Sequence, residues 1–431
     1  MFKKMLTMVL VVCSLLGCFA AFAETDKDDR ITVVYWNLIT GKDADVLNEI
    51  IDTYNNSQDS VYIDCYCWDW GDYYTKLRLA ILSGTGPDLA LAHCDNVAGL
   101  YAAGCMVNIE EEFKRLGVDY DFSTNISPAL ESVKFDGSYY SVPQDVLAVQ
   151  LYYNKGVYLE LGLLDENGQP NFFGSMEDWM AAGQKVEENY DMYGTAMPVT
   201  GYFLSGAWLG LYYQLGGDVN WLGEDGMTEQ LDTDLAIQAL EALKDLYSHN
   251  ALEEAGWDMF ANGLTPLTTE GSWSANYIIN YCAENDIELG ICPMPAPLIE
   301  GGKAQACFSH SLFLPVNEAR TDEVTKAALE FVKWYMENNE LWAQAGHLPA
   351  NAGAYEPELY KSLPMRDEYV DAPAACQSFP VSPAVTLYTS AEFNTPVEQY
   401  LRGELTADEC LEAVRANLAT IFESYQAGEQ G

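Results

Sequence analysis

Metal-binding patterns are missing from this chain. Its 11 cysteines are scattered, with no Cys-x-x-Cys and only Cys65-x-Cys67 as a close pair, and its four histidines (His93, His249, His310 and His347) lie far apart without a His-Glu-x-x-His helix. No metal site is therefore expected. Basic side chains are also scarce, 21 Lys and Arg against 65 Asp and Glu, for a formal charge of −44. Phosphate backbones and anionic lipid repel such a chain, so nucleic acid is not expected as a partner. The acids are spread throughout, which reads as a solvated surface rather than a trap for one cation. No Gly-x-Ser-x-Gly elbow with triad partners is present either, and no run past residue 23 approaches 18 unbroken apolar residues, so neither that hydrolase chemistry nor a membrane span is expected.

What is present is a chain of 431 residues, 49% hydrophobic and 13% aromatic, long enough for two domains and rich enough for a sizeable core. Met1 to Ala23 reads as a secretory signal, with Lys3-Lys4 ahead of the apolar run Met5 to Leu16. Two processing sites compete at its end. Leu15-Leu16-Gly17-Cys18 resembles a lipobox, which would place lipid on Cys18, and Ala21-Phe22-Ala23 resembles an ordinary cleavage site. Cutting before Cys18 removes two lysines and no acid, taking the charge to about −46. If Cys13 is removed and Cys18 lipidated, an odd, unpatterned set of cysteines is left, which points to buried thiols rather than a disulfide framework.

Strand and helix patterns alternate from the start. Ile31 to Trp36, Val61 to Tyr66 and Asp88 to Ala92 read as strands; Asp43 to Tyr54 and Asp72 to Leu82 read as helices, the second stopped by Ser83-Gly84-Thr85-Gly86-Pro87. Short connections make this a βαβ series, so a mostly parallel sheet covered by helices is expected. The chain is then organised around Tyr139 to Lys155. A short strand closes at Pro143, the polar pair Gln144-Asp145 follows, and Val146 to Tyr153 is apolar enough for a strand covered on both faces. That order suits a chain crossing between lobes through a cleft. Pro293 to Pro297 and His347-Leu348-Pro349 read as second and third crossings. The expected lobes are 30–143 with 296–345, and 146–291 with 350–431.

Several of these segments, in this order, resemble the solute-binding proteins of bacterial sugar ABC transporters, the broad family that includes maltodextrin-binding proteins. The resemblance rests on Tyr73-Tyr74-x-Lys76-Leu77 running to Ser83-Gly84-x-Gly86-Pro87-Asp88-Leu89, on Ser141-Val142-Pro143 with Leu151 to Lys155, on Gly271-Ser272-Trp273, and on Ala327 to Phe331 with Gly346 to Pro349. It implies an α/β, periplasmic-binding-protein-like fold of two lobes joined by crossing hinge strands, with the ligand cleft between them. It further implies a carbohydrate ligand, ABC permease subunits as partners, no cofactor, no catalysis and a monomer at the cell surface.

A sugar presents hydroxyl edges and weakly apolar faces, so its site needs aromatic platforms and planar polar side chains. The candidates are Trp36 and Asn37 at the end of the first strand, Trp68 and Trp70 after the second, and Asp95 and Asn96 after the third. Gln144 and Asp145 lie in the crossing, with Asp145 as the preferred polar anchor. Trp208, Trp273, His310 and Tyr388 are the candidates from the later segments. Scarce cations favour a neutral sugar or oligosaccharide. The alternatives are a polyamine, ferric iron held by a pair such as Tyr152-Tyr153, or a secreted glycoside hydrolase. Iron is weakened because adjacent strand residues face opposite ways.

Overall fold

In the computed structural model, the structure describes residues 30–252, 256–294, 306–307, 309–373, 376–378, 380, 382–384 and 390–427. The signal region with Cys18, the segment Pro295 to Pro297 and Tyr388 lie outside the described residues.

The chain opens with β1 (Ile31–Asn37), in which Val33 and Tyr35 point inward, then α1 (Gly41–Ser57), which buries Leu47, Ile50, Ile51 and Tyr54 on one face. Next come β2 (Val61–Cys67) and α2 (Trp70–Leu82), whose N-terminus is capped by the Asp69 side chain accepting from the Gly71 amide. The glycine turn after α2 uses Gly84 at φ +70°, a conformation costly to other residues. Strand β3 (Leu89–His93) is buried almost throughout and runs straight into α3 (Cys94–Ala102).

The organising stretch then divides in three: β4 (Val142–Pro143), β5 (Asp145–Val146) and β6 (Val149–Asn154). Sequence periodicity suggested one strand from Val146 to Tyr153. The structure breaks it, because Val146 pairs with Leu348 in the crossing while Val149 onward pairs elsewhere. Beyond lie α4 (Met176–Asn189), whose N-terminus is capped by the Ser175 side chain, α5 (Gly201–Gln214) and α6 (Thr233–Leu246). They are followed by β7 (Leu267–Gly271), α7 (Ala275–Glu284) and β8 (Leu289–Pro293). The chain returns as β9 (His310–Phe313), α8 (Asp322–Glu337) and β10 (Leu348–Pro349), and ends with α9 (Ala391–Leu401) and α10 (Ala407–Gln426).

Two larger sheets result, beside three two-stranded ones. The first has the order β2-β1-β3-β9-β4, with β1 to β3 parallel and β9 antiparallel to both its neighbours. Pro143, which cannot donate to a ladder, sits on its edge. The second has the order β8-β6-β7, all antiparallel. Each sheet has its own apolar core. Around the first gather Leu47, Leu77, Leu91, Phe113, Phe313 and Phe331. Around the second, α5 is apolar on nearly every side and is enclosed, with Trp208 packed on Phe393 of α9. A smaller cluster, including Val146, Ala148, Tyr152, Ile278 and Leu348, fills the junction. The antiparallel pair β5 and β10 crosses there, in register Leu348↔Val146 and Pro349↔Asp145. This is the two-lobed α/β architecture expected for a ligand cleft between lobes. Among the described residues, no helix is long and apolar enough to cross a membrane.

Candidate functional site

In an open α/β sheet, ligands meet the carboxyl ends of the parallel strands. On the first lobe those ends carry Trp36, Trp68 and Asp95. The Trp36 and Trp68 rings lie 4.9 Å apart, and the Lys76 ammonium sits 4.9 Å over the Trp68 ring. That cation is already paired with Asp72 at 3.0 Å. Trp70, the first residue of α2, is 56% exposed. The indole N–H of Trp68 is buried without a protein acceptor. Asp95 stands in the first turn of α3 and accepts from Asn96 Nδ2 at 2.9 Å. Burial pushes its carboxyl up to about 6, against the opposing pull of the Asn96 donors.

On the second lobe, β7 ends in Gly271 and a single helical turn lifts Trp273 back over it. A Cβ added at Gly271 would lie 2.0 Å from the Trp273 ring, so the close approach requires glycine. Tyr202 and Phe203 of α5 extend the aromatic surface, with ring centres 5.8 and 6.4 Å from Trp273. This group adjoins the crossing, since a Cβ on Gly346 would meet the Ser272 carbonyl at 3.1 Å. Glu270, one residue before Gly271, is absent from the sequence-based candidates. Burial pushes its carboxyl up to about 7, and Ser274 Oγ lies 3.4 Å away. Its cross-strand neighbour Gln150 has a buried Nε2 with no protein partner. A carboxylate in strand sequence directly before Gly-Ser-Trp was the available signal for this residue.

The crossing is a different environment. Asp145 is fully buried, and protein donors converge on it. Its Oδ1 accepts from the His310 backbone N–H at 2.7 Å; its Oδ2 faces His310 Nδ1 at 2.8 Å, Trp342 Nε1 at 2.9 Å and His347 Nδ1 at 3.2 Å. The other nitrogen of His347 reaches Asp43 Oδ2 at 3.0 Å. Burial would raise the Asp145 carboxyl, but His310 and His347 more than offset this and hold it well below the usual carboxylate range. Burial likewise works against a charged His347, and Asp145 and Asp43 together push it up to about 9. His93, whose ring lies tilted 4.6 Å from that of His310 and is bonded to Tyr74, is driven down to about 3 by burial and by His310.

Several expected ligand contacts are therefore placed elsewhere. Asp145, the preferred anchor, is already surrounded by protein donors, and His310 is spent on it. Asn37 is buried and bonded to Cys65 Sγ, the Tyr66 carbonyl and the Ile39 amide, so it ties β1 to β2. Trp208 is enclosed in the second core with its N–H on the Ala236 carbonyl. Gln144 is buried, its backbone bridging His310 and Ala350 while its amide group has no protein partner. The suggested iron pair divides as strand geometry requires: Tyr152 donates to Gln150 Oε1 and the Gly271 carbonyl, whereas Tyr153 donates to Gly168 and Gln169.

Comparison with known proteins places this architecture. A maltotriose-binding protein from Pyrococcus abyssi is 26% identical over 293 residues, 64% of this chain and 58% of that protein, so the match spans less than two thirds of the relative's length. The sn-glycerol-3-phosphate-binding periplasmic protein UgpB from Brucella melitensis is 24% identical over 389 residues, 84% of this chain and 86% of its own. Among solved structures, the cyclic alpha-maltosyl-1,6-maltose binding protein from Arthrobacter globiformis superimposes with a TM-score of 0.76 at 24% identity, covering 92% of this chain and 100% of that one. Residues 49–367 match the family described as Bacterial extracellular solute-binding protein, and the chain belongs to that family of non-enzymatic binding proteins.

Proposed function

We propose that this protein captures a neutral sugar or oligosaccharide by closure of its two lobes, 30–143 with 296–345 and 146–291 with 350–431, and delivers it to the permease of an ABC importer. The observation that carries the reading is an aromatic group on each lobe: Trp36 with Trp68 at the strand ends of the first, and Trp273 with Tyr202 and Phe203 beside the crossing on the second. Aromatic faces on both sides suit the C–H faces of a pyranose ring. Asp95 and Asn96 supply polar partners for its hydroxyls, Trp70 extends the aromatic rim, and Glu270 adds a second carboxyl.

Relatives named for glycerol 3-phosphate raise an anionic ligand as a second possibility. The cation over the Trp68 ring does not favour it, because Lys76 is already paired with Asp72. Cys18 is the residue that would tether the exported chain to the membrane through lipid, and the chain acts as a monomer. A thermal-shift series on the purified exported protein tests the reading. Maltotriose, an arabino-oligosaccharide, sn-glycerol 3-phosphate, spermidine and ferric citrate are compared. A ligand at 100 times its dissociation constant adds about 2.7 kcal/mol of stability, enough to detect. A shift with a neutral saccharide, lost in Trp273→Ala, supports the proposal; a shift with spermidine, phosphate ester or iron alone overturns it.

A further inference from the structure

Two of the four histidines, His310 and His347, meet at one carboxylate in the crossing, and a third, His93, packs against the His310 ring. Each member comes from a different segment: Asp145 from β5, His310 from β9 of the first sheet, His347 from the turn before β10, Trp342 from the turn after α8, and Asp43 from α1. Backbone bonds reinforce the same junction. The Gln144 amide donates to the His310 carbonyl, the Ala350 amide to the Gln144 carbonyl, and Asn339 Nδ2 to that same carbonyl.

We propose that Asp145, His310, His347 and Asp43 form a buried, proton-holding latch that fastens both crossing strands to the first lobe. His347 and Asp43 are then positioning residues: the first lobe moves with β5 and β10 as one body. The bending that opens and closes the cleft falls on the second-lobe side of the latch, at Leu147-Ala148 and after Ala350.

The chemistry of the contacts requires the proton. If His347 gave its only N–H to Asp43, its Nδ1 lone pair would face the Asp145 carboxylate at 3.2 Å, acceptor against acceptor. With both nitrogens protonated, each faces a carboxylate, and stacking on Trp342 at 4.6 Å holds the ring in place. The ligating atoms of Asp145, His310 and His347 lie within 4.8 Å of one another, close enough for a metal ion. The Trp342 N–H argues for the proton instead, since an indole can only donate and it points at the same carboxylate oxygen. The titratable groups facing the latch are Asp43 on α1, Tyr74 on α2, His93 on β3, Asp95 on α3, His310 on β9, Tyr335 on α8 and Tyr355 after β10. Asp43 is hydrogen-bonded to His347 Nε2, and Asp145 faces its Nδ1 at ion-pair distance.

The test is a pH titration of the imidazole nitrogens by long-range proton–nitrogen NMR on the full exported chain, in wild type and Asp43→Asn, with zinc chloride and with EDTA. The proposal expects one histidine to remain doubly protonated well above pH 7.5, and Asp43→Asn to lower its midpoint by at least one pH unit while the spectrum stays that of a folded protein. Zinc leaves this resonance and the melting temperature unchanged. If all four histidines titrate near pH 6.5 or below, or if Asp43→Asn moves none of them, the latch is refuted. A zinc-induced shift of His310 and His347 reversed by EDTA refutes it in favour of a metal site.

Discussion

Asp95, just after β3, and Asp145, in the crossing, both lie near His310, yet their surroundings drive them in opposite directions. Around Asp145 the protein supplies two imidazoles, an indole N–H and a backbone N–H, so burial strengthens attractions already made. Asp95 has a neighbouring amide and the start of α3, too little to offset its lost hydration, and its carboxyl is raised to about 6. A carboxylate surrounded by donors is a fastener; one left short of donors has bonding capacity for a ligand's hydroxyls. The tryptophans divide in the same way. Trp208 is closed in by α9 with its N–H satisfied, while Trp273 is only partly covered and lies flat over a glycine.

Removing the fastener breaks this comparison most severely. In Asp145→Ala the charged His347 loses its main counterion inside the protein, and loss of one partner from a buried pair costs about 3–5 kcal/mol. Asp95→Asn is expected to be neutral or slightly stabilising at pH 7, where the raised carboxyl is ionised at a cost, while the saccharide-induced shift disappears. Urea unfolding of both variants checks this. Equal losses of stability would mean that the two carboxylates are not distinct in role.

The tryptophans give the next effect. Trp208→Ala leaves a large cavity in the second core and should cost about 3–5 kcal/mol, whereas Trp273→Ala should cost under about 2 kcal/mol and remove ligand binding. Calorimetric melting with and without saccharide separates the two. Gly271→Ala refines the test, because its Cβ would fall 2.0 Å from the Trp273 ring and must push that ring aside. It should weaken saccharide binding at least tenfold in isothermal titration, with a smaller change in melting temperature than Trp208→Ala.

The contrast between Asp145 and Asp95 shows which parts of the chain were legible beforehand. Alternating and helical periodicity located β1 to β3 and their helices, because those elements bury one face within a short stretch of sequence. The crossing was visible in Pro143-Gln144-Asp145 because a proline and a polar pair interrupt apolar sequence. Nothing in that stretch indicated that Asp145 is already bonded: the donors come from residues 310, 342 and 347, and His347 in turn needs Asp43, 304 positions away. Asn37 and Trp208 were misplaced for the same reason, since their partners arrive from β2, α6 and α9. Trp273 and Asp95 entered the proposed site because they follow strand ends directly, a position that chain order alone indicates.

The last expected effect concerns the latch's proton and shows as a difference between two pH profiles. His347 is raised in the folded protein to about 9, from an unfolded value of about 6.5. Its contribution is therefore fully present below pH 6.5 and is lost as pH rises through about 9, because in that window the folded state holds a proton that the unfolded chain has released. One linked proton sets a limiting slope of about 1.4 kcal/mol per pH unit. Wild-type stability should decline from pH 6.5 upwards, starting well below the ordinary titration range of cysteines and tyrosines. His347→Gln should be less stable than wild type at pH 6 and should lack that part of the decline, so the two curves converge towards pH 9. Asp145 contributes with the opposite sign at the acid end: its carboxyl is depressed, so its stabilisation is present above about pH 4 and is lost as pH falls below that value. Parallel wild-type and His347→Gln curves from pH 6 to 9 would mean that His347 carries no extra proton. The crossing would then be held by neutral hydrogen bonds, and Asp145 would differ from Asp95 in burial rather than in charge pairing.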